Sequence, residues 1–68
     1  MDEIIFLVEE APEGGYTARA LGHSIFTEAE TEGELAEMAR DAVHCHFDEG
    51  ERPRVIRLHY VREQVIAS

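Results

Sequence analysis

His44-Cys45-His46 is the one run in this sequence with side chains suited to hold a metal ion or to pair a nucleophile with a base, and His23 and His59 are the remaining imidazoles. Read as part of a helix, successive residues point about 100° apart. The three side chains therefore diverge, and no second Cys or His pair stands at zinc-site spacing. The same geometry denies Cys45 a neighbouring imidazole as base, so an idle or packed thiol is expected. Glu28, Glu30, Glu32 and Glu34 could do acid–base work only in a cleft that raises one pKa, and a chain this short offers little volume for one. They are expected as a solvated rim. Asp2, Asp41 and Asp48 are scattered, unlike the strand-end carboxylates that hold divalent ions in a nuclease. Glu13-Gly14-Gly15 and Gly22 match no phosphate cradle, and the sequence has no Lys to complete one. No catalytic, cofactor-binding or metal-ligating residue is expected.

The elements that would carry these residues follow from pattern. Ile4-Ile5-Phe6-Leu7-Val8, inside Glu3 to Glu10, is an apolar run of strand length, expected to be buried on both faces. Pro12, Gly14 and Gly15 supply a turn, and Tyr16 to Leu21 runs back antiparallel. Gly22-His23-Ser24 makes a second reversal into a short strand, Ile25 to Ala29. Thr31 and Glu34 are spaced as a capping box, and Glu32 suits the positive end of a helix dipole. From Glu32 to about Asp48, the positions Leu35, Met38, Ala39, Ala42, Val43, His46 and Phe47 form one stripe at steps of three and four. Gly50 is expected to end that helix in a left-handed conformation, with Pro53 preventing its resumption. Ile56, Leu58 and Tyr60 alternate on a fourth strand, Val55 to Val61, with possible continuation toward Ile66.

The expected fold is α+β, ordered β-β-β-α-β: a three-strand antiparallel meander, a helix packed on one face, and a fourth strand parallel to the first and beside it. It is one domain over residues 1–68, because 68 residues leave room for one core. A single helix covers one face of a sheet, yet Ile5 and Leu7 oppose Ile4, Phe6 and Val8, and Ile25 opposes Phe26. The surplus apolar face predicts self-association or a partner on the side away from the helix.

Charge narrows the function. Fifteen acidic residues face six basic ones, a formal charge of −9, so direct nucleic-acid binding through phosphates is disfavoured. Such a surface keeps a small protein soluble and can also steer a basic protein partner. A lone cysteine fits a reducing compartment, Met1-Asp2-Glu3 is acidic where a signal peptide is basic, and no apolar run is long enough to span a bilayer. A cytoplasmic protein is expected, without membrane attachment.

The opening strand, the Glu13-Gly14-Gly15-Tyr16 turn, the segment from Tyr16 to Ala29 and the amphipathic helix after Thr31 together resemble the HicB family of antitoxins over nearly the whole chain. That resemblance implies a short HicB-like domain with a partial RNase H-like fold lacking catalytic carboxylates. It also implies homo-oligomers and the masking of HicA, a small basic ribonuclease toxin. Two departures stand out: many family members continue into a DNA-binding domain, which is not expected within residues 1–68, and Leu21-Gly22-His23 lacks the Pro common before Gly. The residues expected to touch a basic partner are Glu9, Glu10 and Glu13 by the hairpin, with Tyr60 and Arg62 at the tail. The alternative expectation is a self-associating structural or regulatory domain with no toxin to inhibit.

Overall fold

The computed structural model describes residues 2–68. Strands β1 (Glu3–Glu10), β2 (Tyr16–Ala20), β3 (Phe26–Ala29) and β4 (Val55–Tyr60) form one sheet in the order β3-β2-β1-β4. Helix α1 (Glu32–His46) and a 3-10 turn at Glu49–Glu51 connect β3 to β4. β1 pairs antiparallel with β2, β2 pairs antiparallel with β3, and β4 lies parallel beside β1. This is the expected α+β architecture. The parallel pair is fastened where it begins: the Arg54 and Val55 N–H groups both donate to the Asp2 carbonyl, and Arg57 donates to Glu3 Oε1 through Nε and Nη2 at 3.0 and 2.7 Å.

Alternation along β1 sends Ile4, Phe6 and Val8 to the helix side. Ala18 and Ala20 of β2 are small enough to let α1 approach, and Leu35, Ala39 and Val43 fill the space from above. Phe6, Val8, Leu35 and Val43 are the largest fully buried side chains, each contributing about 1.5–3 kcal/mol by leaving water.

Several expectations are corrected in detail. Ile5 and Leu7 are only half-buried, so β1 is not enclosed on both faces; the side of the sheet away from α1 is open. β3 begins at Phe26, and Ile25 tucks into the core from the preceding loop. The buried stripe of α1 is narrower than the sequence pattern, with Met38 and His46 left in solvent. The helix stops at His46, capped by the Phe47 N–H donating to the Val43 carbonyl, and Gly50 sits in the 3-10 turn without a positive φ. β4 ends at Tyr60 instead of running toward Ile66. Its last support is the Val61 N–H on the Val8 carbonyl.

Residues 61–68 are all exposed and take no regular structure. The long axis measures 51 Å against 20 and 18 Å. The longest strand spans only about 26 Å, so the tail projects from the body.

Candidate functional site

The hairpin between β1 and β2 closes through the Ala11 N–H donating to the Gly15 carbonyl and the Gly14 N–H to the Ala11 carbonyl, both at 3.0 Å. Gly14 and Gly15 take φ of +103° and +82°, a region that side chains with a Cβ avoid. Gly15 is needed twice over: a Cβ there would stand 2.8 Å from the Ala29 carbonyl oxygen. That close approach draws the hairpin against the end of β3 and brings Glu13 beside Glu28 and Glu30.

The registers assemble the rest. Glu10 lies opposite Tyr16, Tyr16 opposite Ala29, and Val8 opposite Tyr60. Tyr16 and Tyr60 therefore flank the end of β1, with ring centroids 6.2 Å apart and planes at 84°. At the start of α1, the Glu34 N–H donates to the Thr31 hydroxyl and Glu34 Oε1 accepts from the Glu30 N–H, both at 3.1 Å. The capping box is thus formed with its return bond one residue upstream of the expected Thr31 amide. Glu32 and Glu34 sit in the first turn, where the helix dipole favours carboxylates.

The outcome is an acidic rim around two tyrosines. One shallow depression holds Glu10, Tyr16, Glu32, Tyr60 and Arg62, and a second, across Tyr16, holds Glu13, Glu28, Glu30 and Glu34. Partial burial, followed by the negative charge of Glu32, raises the Tyr60 hydroxyl above its ordinary pKa. Of the residues expected to touch a partner, Glu10, Tyr60 and Arg62 share one depression. Glu9 joins Glu10 and Arg62 in the next, and Glu13 stands on the far side of Tyr16. Sequence reading assigned Glu28, Glu30, Glu32 and Glu34 to a solvated rim and gave Tyr16 no role at the site. The signal for Tyr16 was its position immediately after the double glycine.

Two of the four imidazoles meet elsewhere. At the opposite end of the sheet, His46 packs edge-on against His23 and Phe47, with ring centroids at 6.0 and 4.9 Å, while Cys45 is exposed. Among the described residues, no three His, Cys, Asp or Glu side chains gather in a way that could hold a metal ion. No helix of the described residues is long and apolar enough to cross a membrane.

The sequence is similar to a UPF0150 protein of Archaeoglobus fulgidus, 66% identical over 55 residues that cover 81% of this chain and 82% of the relative. It is also similar to a UPF0150 protein of Thermotoga maritima, 45% identical over 65 residues that cover 96% of this chain and 91% of that relative. No protein-family model matches it. No solved structure matches it either.

Proposed function

The chain belongs to the UPF0150 family, and we propose that it is a non-catalytic, cytoplasmic protein-binding module of the HicB antitoxin type, masking a small basic ribonuclease toxin (HicA). The observation that carries this reading is the acidic rim: carboxylates from β1, the hairpin, β3 and the start of α1 converge around Tyr16 and Tyr60. A rim of one sign steers an oppositely charged partner, and two partly exposed tyrosine rings offer faces to its Arg and Lys side chains. Glu9, Glu10, Glu13, Tyr60 and Arg62 are the contacts, with Glu32 and Glu34 widening the acidic field. The same charge repels nucleic acid, so the module acts on the toxin and not on the toxin's substrate.

The resemblance to HicB described above supplies the identity of the partner, and the formal charge of −9 supplies its sign. The test is a binding titration of the purified chain with the basic protein encoded beside it, at low and high salt. Binding that weakens as salt rises, and a ribonuclease activity silenced by one equivalent of this chain, are the expected results. A basic partner bound equally well by the Glu10→Lys/Glu13→Lys variant would count against the site.

A further inference from the structure

β3 is the outer strand on its side of the sheet, and we infer that its free edge takes an extended, basic segment of another protein as a fifth, antiparallel strand. The inference rests on the reading above in requiring a basic partner, but it does not require a toxin.

The backbone of β3 sorts its own polar groups. The Ala20 N–H donates to the Ile25 carbonyl, and the register then pairs Ala18 with Thr27 and Tyr16 with Ala29. Antiparallel ladders alternate, so the N–H and C=O groups of Thr27 and Ala29 point at β2 and those of Phe26 and Glu28 point outward. The Glu30 N–H is already taken by Glu34 Oε1, which closes the edge at the start of α1. Phe26 and Glu28 thus offer two donors and two acceptors to an incoming chain, and among the described residues no turn or loop bond reaches them. Phe26 is 63% exposed as well. An edge left open in this way is a template for strand addition.

The side chains on either face say what the segment carries. On the helix side, Ala42 and Cys45 of α1 share a shallow depression with Ser24, Ile25 and Phe26. Met38, one turn before Ala42 on the same flank, is 43% exposed. A residue of the segment opposite Thr27 points to that flank, where an aliphatic side chain fits. The residue opposite Phe26 lies on the other face and covers its ring. The residue opposite Glu28 lies there too, beside a carboxylate that forms no ion pair among the described residues, and Glu30 and Glu34 border the same end. From its N-terminus, the antiparallel segment is therefore basic, then aliphatic, then apolar. Charge selects against a second copy at this seam. Two β3 edges brought together would crowd Glu28, Glu30 and Glu34 of both chains, on molecules that each carry −9, whereas an Arg- or Lys-bearing strand meets them with opposite sign.

The probe is a short peptide of alternating Arg and Val with blocked ends, titrated into the isotope-labelled full chain and followed by amide shifts and hydrogen exchange. With the Arg residues opposite Phe26 and Glu28, their N–H groups face β3 and those of Val face away. The expected result is shifted, slowly exchanging amides at Phe26 and Glu28. Binding should survive methylation of the Val nitrogens and weaken at least about tenfold when the Arg nitrogens are methylated, a change that keeps charge and side chains but removes the donors. Glu28→Pro, which deletes an outward N–H and no bond within the sheet, should weaken binding more than Glu28→Gln does, with unchanged circular dichroism. Equal binding of the two methylated peptides, shifts confined to Glu10, Tyr16 and Tyr60, or no binding overturns the inference. Shifts confined to Glu10, Tyr16 and Tyr60 would leave a basic partner on the rim standing. A peptide of alternating Glu and Val bound equally well would sink both readings.

Discussion

Gly15 shows how one residue positions the site. With φ at +82° and the Ala29 carbonyl oxygen 2.8 Å from where a Cβ would stand, Gly15→Ala is expected to destabilise the fold by about 1–3 kcal/mol, read as a lower urea midpoint with unchanged slope. Gly14→Ala, strained in φ but with open space around it, should cost less. Tyr60 is the second case. Its pKa is raised by burial first and by Glu32 second, so tyrosinate absorbance that is lost in Tyr60→Phe should appear above the ordinary tyrosine range. A group whose pKa is raised in the folded state holds its proton more tightly there. Its stabilising effect is therefore complete below about pH 10 and is lost as pH rises through the folded value. Glu32→Gln should lower that value in part, because burial remains. The two turn glycines were legible from their pairing after Pro12. The role given to Gly50 was not, because the chain leaves α1 through an extended Phe47 and needs no left-handed residue.

At the scale of elements, α1 carries the fold through a narrow contact. Leu35, Ala39 and Val43 are its buried residues, so Leu35→Ala, which empties the largest of these positions, is expected to cost about 2–5 kcal/mol. Thr31→Ala removes the hydroxyl that the Glu34 N–H donates to and is expected to cost about 1 kcal/mol; thermal unfolding followed by circular dichroism measures both. The strands and helix were readable because period and punctuation agreed: alternation in β1 and β4, a capping pair before α1, glycines at each reversal. Their ends were less so. β4 stops at Tyr60, opposite Val8 and two residues before β1 itself ends at Glu10, a limit that the apolar character of Val65 and Ile66 does not reveal. Met38 and His46 fit the helical period but are exposed, His46 meeting only the rings of His23 and Phe47 at the end of the helix.

For the whole molecule, the surface proposed to meet a basic partner is an acidic rim at one end of the sheet. The acidic character of the rim was legible in composition, but its construction was not. Glu10, Glu13, Glu32 and Tyr60 are far apart in the chain and meet only because β4 lies beside β1 and the hairpin folds against β3. The central claim is that this chain binds and silences a basic ribonuclease through the rim. The most direct measurement is the ribonuclease activity of the basic protein captured by this chain from its own cells, assayed before and after release by salt, for the wild type and for Glu10→Lys/Glu13→Lys. Latent activity that appears on release, with capture lost in the variant, is the predicted result. A captured protein that is acidic, without ribonuclease activity, or held equally by the variant would contradict it.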